Sequence, residues 1–190
     1  MHPKESRVAI GTGRMAHRSL IGSHLFVGER FEGDPRLTAL LADPTLAPCI
    51  LFPTPRAVDL ARATPEALRA VFPSGRRPLV ILVDGTWTTA KKLLNRAPSL
   101  GALPAIRFTP GAPSRYDRLR KEPRAECCSS IESVYWVLAY LTALGFAPPP
   151  PASAHDHLLT LLDVTVAAQL AFEPPEHRAA ARGERAARET

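Results

Sequence analysis

The chain predicts an α/β domain: a mostly parallel sheet with helices on both faces. Three observations lead there. Short apolar runs, Cys-Ile-Leu-Phe at 49–52 and Leu-Val-Ile-Leu-Val at 79–83, lack polar alternation and so suit strands covered on both sides. Stretches with helical spacing of apolar residues stand between such runs, so strands and helices alternate. At 190 residues, 45% hydrophobic and 22% charged, the chain has room for one globular domain and hardly for two. A single domain is expected over residues 1–172, followed at 173–190 by an Ala-, Arg- and Glu-rich tail that is frayed or disordered.

The elements follow in order. Residues 7–10 and 25–27 are short strand candidates. Asp34-Pro35 is an N-cap with proline in the first turn, and Leu37, Leu40 and Leu41 supply the apolar side of a helix stopped at Asp43-Pro44. The strand at 49–52 is closed by Pro53. Thr64-Pro65-Glu66 repeats the cap-and-proline start, with Leu68, Val71 and Phe72 on the buried side. After the strand at 79–83, a helix runs from Trp87 to about Arg96, where Pro98-Ser99 breaks it. Residues 105–108 are a further strand, and prolines and charges make 110–127 an exposed loop. Ile131, Val134, Tyr135, Leu138, Leu141 and Leu144 recur at helical spacing, which predicts a helix over 129–144 ended by Gly145. The prolines at 148–151 form a stiff linker, and an amphipathic helix follows at 155–172.

Composition narrows the function classes. No apolar run reaches ~18 residues, so no transmembrane helix and no membrane partner are expected. The opening Met-His-Pro-Lys-Glu lacks the apolar core of a signal peptide, so the expected location is cytoplasmic. Cys127 and Cys128 are adjacent and would close only a strained ring, so they and Cys49 are expected as reduced, packing thiols. No zinc or other metal site is expected, because His155 and His157 fall on opposite sides of a helix and His17 stands alone. The net charge of +6 favours polyanions. Between Arg107 and Glu126 six basic residues face three acidic ones, so half of the excess lies in one loop; such a run is either a solvated surface or an RNA contact.

The densest signal is Leu-Val-Ile-Leu-Val-Asp-Gly-Thr-Trp-Thr-Thr-Ala-Lys-Lys at 79–92. An apolar strand ends in an acid, a glycine, a hydroxyl and an indole, and a helix begins at once. Open α/β sheets bind ligands beyond the carboxyl ends of their strands. Asp84 is therefore a candidate general base or an N-cap of the next helix. Trp87 stacks on a base or fills the helix-to-sheet interface, and Thr86 orients a carboxylate or caps the helix. Ser129 and Ser130 open the helix at 129–144, where they meet an anionic group or, with Glu132 three residues on, form a capping box. Phe52-Pro53 lends backbone to a pocket or packs in the core. Gly11-x-Gly13-x-x-Ala16 after Val8-Ala9-Ile10 imitates a dinucleotide fingerprint, but the unit is too small for a Rossmann crossover.

Four ordered blocks resemble the DTW domain family, named for an Asp-x-Thr-Trp motif: Thr12-Gly13-Arg14; Asp84-Gly85-Thr86-Trp87; Pro113-Ser114-Arg115-Tyr116 with Leu119-Arg120-Lys121-Glu122-Pro123; and Ser129-Ser130-Ile131-Glu132. The resemblance implies a SPOUT-like fold with a C-terminal trefoil knot. It also implies S-adenosylmethionine-dependent transfer of the 3-amino-3-carboxypropyl group to N3 of a uridine in tRNA. On that reading Asp84 is catalytic; Phe52, Pro53, Gly85, Thr86, Trp87, Ser129, Ser130 and Glu132 form the donor site; and Arg14, Arg115, Tyr116, Arg120 and Lys121 contact RNA. Family members often carry a cysteine-rich zinc segment ahead of this region, and none is expected here. The usual threonine of the last block is Ser130, which keeps the hydroxyl. Methyl transfer and a non-catalytic RNA-binding role are the alternatives, and the oligomeric state is left open.

Overall fold

The computed structural model describes residues 1–6, 11–119, 127–151 and 154–172. The elements run α1 (Pro3–Ser6), α2 (Thr12–Ser19), α3 (Pro35–Ala42), β1 (Leu46–Leu51), β2 (Val58–Asp59), α4 (Pro65–Arg69), β3 (Arg77–Leu82), α5 (Trp87–Asn95), α6 (Pro98–Gly101) and β4 (Ala105–Arg107), then a 3-10 turn (Arg115–Arg118), α7 (Ser130–Ala143) and α8 (Asp156–Phe172). The described strands form a four-stranded sheet in the order β2-β4-β1-β3, with every pairing parallel. Cys49 stands opposite Val80, Ile50 opposite Ala105, and Val58 opposite Ile106.

Alternate residues of the strands serve different layers. Cys49, Val80 and Ile106 pack with Leu68, Phe72 and, from α7, Val137 and Leu141. Ile81 and Val83 turn the other way, to Leu37 of α3, Leu93 of α5 and Leu100 of α6. Helices thus cover both faces. A third cluster joins Ala16 of α2, Ile131 of α7 and Leu158 and Leu162 of α8. Burial pushes the Cys49 thiol up to about 12, which leaves it an inert packing residue.

Local chemistry sets the helix starts. The Asp34 carboxylate accepts from the N–H groups of Arg36 and Leu37 at 2.9 and 3.0 Å, with Pro35 in the first turn. Thr64 caps α4 by accepting from Ala67 N–H at 3.3 Å.

Several elements differ from the expectation. β1 begins at Leu46 and runs through Pro48. The Ile50 amide donates to Pro104 on the β4 side, so Pro48 points its nitrogen the same way, below the reach of β4, where no ladder bond is lost. Residues 25–27 form no strand; Phe26 and Gly28 instead bond the backbone of Met1, at 2.9 and 3.2 Å. β3, expected to be covered on both sides, is last in the described order, and Leu79–Leu82 are only half-buried. Residues 7–10, expected as a strand, and the tail at 173–190 lie outside the described residues. Among the described residues no helix is long and apolar enough to cross a membrane.

Candidate functional site

Parallel pairing puts the carboxyl ends of the strands on one side of the sheet. Phe52 and Pro53 after β1, Val83 to Trp87 after β3, and Arg107 and Phe108 at the end of β4 all line one cavity of about 620 Å³. Three helix starts complete its wall: Gly11 and Thr12 at α2, Thr86 and Trp87 at α5, and Ser129 and Ser130 at α7.

Asp84 is half-buried in that wall. Ser130 Oγ donates a hydrogen bond to Asp84 Oδ1, and the His2 N–H donates to the Asp84 carbonyl at 3.2 Å. Gly13, in the first turn of α2, lies flat against the carboxylate: a Cβ there would stand 2.9 Å from both Asp84 Cγ and Oδ2. The partial positive charge of a helix start favours an anion at this place. The dinucleotide imitation fails for the same reason, since Asp84 sits where the fingerprint would need a pyrophosphate. Asp84 does not cap α5. Thr86 does, accepting from Thr89 N–H at 3.3 Å. Gly85 holds φ at +154°, and a Cβ there would meet Thr89 Cγ2 at 3.2 Å, so the turn that releases Asp84 from the strand needs glycine.

Trp87 is 41% exposed and fixed on two sides. Its indole N–H donates to Cys127 Sγ at 3.3 Å, and its ring lies 5.7 Å from that of Phe52 at a tilt of 59°. The two rings form an aromatic wall.

Glu132 is 3% exposed and does not line the cavity. Its Oε2 accepts from Ser129 N–H (2.9 Å), Ser129 Oγ (2.7 Å) and Ser114 Oγ (2.8 Å), and its Oε1 accepts from Arg115 N–H (2.7 Å). One buried carboxylate therefore ties the Pro-Ser-Arg-Tyr block to the start of α7. It places Tyr116, which lines the cavity while packing on the α7 and α8 cluster. Ser129 and Ser130 both donate to carboxylates of the protein itself.

The structure thus gathers Phe52, Pro53, Asp84, Gly85, Thr86, Trp87, Tyr116, Ser129 and Ser130 at one cavity. It does not bring Arg14 or Arg115 into the lining; Arg115 pairs with Asp163 of α8. Arg120 and Lys121 lie outside the described residues. Glu5, Thr12, Arg107, Phe108, Cys127 and Cys128 line the cavity and were missed. Arg107-Phe108 closes a strand as Phe52-Pro53 does, and Cys127-Cys128 directly precedes a helix start; both signals are readable in the sequence. Among the described residues, no three His, Cys, Asp or Glu side chains gather as a metal site.

No solved structure matches the chain. The DTW domain model matches residues 1–170, a span that includes every residue of the cavity wall named above. With its Asp84-Gly85-Thr86-Trp87 turn set in that wall, the chain belongs to the DTW domain family.

Proposed function

We propose that this protein transfers the 3-amino-3-carboxypropyl group of S-adenosylmethionine to N3 of a uridine in tRNA. One observation carries the reading: two family blocks far apart in sequence, Asp84 to Trp87 and Ser129-Ser130, face a single cavity with a carboxylate in its wall. Family membership supports a role in tRNA modification.

The residues present fit such a donor. A volume of about 620 Å³ lies within the range of small-molecule sites, roughly 300–1,000 Å³. A sulfonium is attracted both by a carboxylate and by aromatic faces, and Asp84, Trp87 and Phe52 offer these together. Ser129 and Ser130 each have one hydroxyl proton, donated to Glu132 and Asp84, so the donor's own carboxylate is better served by Arg107, whose Nη2 pairs with Asp59 at 3.2 Å and whose guanidinium has further N–H donors, and by the Thr12 hydroxyl.

The reaction is a displacement. Asp84 takes the proton from uracil N3, and N3 forms a bond to the methylene carbon beside sulfur. The carbon–sulfur bond breaks with its electron pair going to sulfur, which leaves as methylthioadenosine. Ser130, donating to one oxygen of Asp84, orients the carboxylate so that the other meets the base. Which of the three carbons on sulfur reacts is decided by positioning.

The proposal extends to the fold, as a SPOUT-like domain with a knotted C-terminal region. β4 enters the sheet between β1 and β2, which are joined by residues 52–57 alone, so the chain leaving β4 passes that bridge. The test is to incubate the protein with S-adenosylmethionine and total tRNA and to identify both products by mass spectrometry. Aminocarboxypropyl-uridine with methylthioadenosine is expected; methyluridine with S-adenosylhomocysteine, or no product, overturns the reading.

A further inference from the structure

Asp84 borders a second hollow. It has a volume of about 240 Å³ and runs along β3 beneath residues 20–26. The walls are chiefly apolar, from Leu20, Leu25 and Phe26 on one side and the β3 side chains on the other. Leu82, Val83, Asp84 and Ser130 line both hollows, so the two meet at the acid and the serine that orients it.

A two-substrate displacement needs N3 of the acceptor to reach both the base and the donor's methylene carbon, which two hollows that meet at Asp84 allow. We propose that the smaller hollow receives the acceptor nucleobase, turned out of the RNA; this rests on the transfer reaction proposed above. A chiefly apolar slot with a carboxylate in its wall suits a flat, uncharged ring carrying one acidic N–H, and it disfavours a phosphate.

The rim supports the same occupant. Ile21 is fully exposed at the tip of a tight turn closed by Gly22, whose φ is +75°. Its neighbours Leu20 and Gly22 both line the hollow. An apolar side chain held out in this way fills the gap left in a nucleic-acid stack when a base is extruded. A cation stands beside the hollow: Arg36 is exposed and lies over the ring of the lining residue Phe26 at 4.7 Å. A phosphate flanking an extruded nucleotide finds a partner there.

The test uses tRNA transcribed with 4-thiouridine, irradiated on the full-length protein, with the cross-linked peptide sequenced. Cross-links within residues 20–26 are expected, and Leu25→Trp, which fills the slot, should reduce both cross-linking and transfer at least tenfold while S-adenosylmethionine binding is unchanged. Ile21→Ser, at a fully exposed position that folding does not need, should slow transfer to folded tRNA at least tenfold and leave transfer to an unstructured uridine oligonucleotide unaltered. Cross-links confined to other segments, or wild-type transfer in both variants, overturn the inference. Cross-links in residues 20–26 without any aminocarboxypropyl-uridine from the wild type would instead overturn the reaction and leave the base site standing.

Discussion

At Asp84 the carboxylate is held by what surrounds it rather than by a long side chain. Ser130 donates to it from α7, and Gly13 of α2 leaves it just enough room. Gly13→Ala tests the second constraint, because the new methyl would stand 2.9 Å from Asp84 Cγ and must push the acid aside. Alanine is the better helix former by up to ~1 kcal/mol, so thermal stability should hold or rise. Turnover should nevertheless fall by roughly 10- to 100-fold, the scale of a misplacement of about 1 Å at a reacting group. A glycine of purely structural importance would lose stability instead. Sequence reasoning found Asp84, but it read capping as Asp84's rival role, and Thr86, two residues on, caps the helix.

Among the elements, α3, α4, α5 and α7 were legible because their starts are written locally, as Asp-Pro, Thr-Pro, Thr-Trp and Ser-Ser-x-Glu. α2 was not. Its Gly11-Thr12-Gly13 start looks like a turn, and Gly11 makes no side-chain cap; the helix is held by Ala16 packing against Ile131 and Leu158. β2 has only two residues and exists through its ladder to β4, which no local pattern announces. The capping box expected of Ser129 and Glu132 is present, but the further bonds of Glu132 to Ser114 and Arg115 were invisible, because no local pattern announces them. Replacing Glu132 with alanine leaves the buried N–H and hydroxyl of Ser129, and the half-buried N–H of Arg115 and hydroxyl of Ser114, without their acceptor. Glu132→Ala should therefore cost about 3–5 kcal/mol in chemical denaturation. Glu132→Gln, which keeps an oxygen for Arg115, should recover part of that loss. A loss of less than about 1 kcal/mol on removal would mean that Glu132 does not fasten the two elements.

Over the whole molecule, the alternation of strands and helices foretold a parallel sheet covered on both faces, and the described sheet is one. The strand order did not follow from the sequence, since β4 pairs between β1 and β2 through contacts remote in the chain. That order decides the site: it brings Arg107 and Phe108 beside Phe52 and sets β3 at the end of the described sheet, where the smaller hollow lies along it. The basic excess was sought in the loop before residue 127. In the structure, Arg115 of that loop is paired with Asp163, Arg120 and Lys121 lie outside the described residues, and Arg36 lies over Phe26 beside the smaller hollow. On the proposed reaction, the one carboxylate where the two hollows meet serves as base for the transfer. Asp84→Asn tests this most directly, because it keeps the shape and the acceptor for Ser130 but removes the base, with turnover, donor affinity and tRNA affinity measured on the same preparation. A fall in turnover of about 10²- to 10⁴-fold with both affinities within a few-fold of wild type is the expected result. Wild-type turnover in the Asp84→Asn protein would contradict the account.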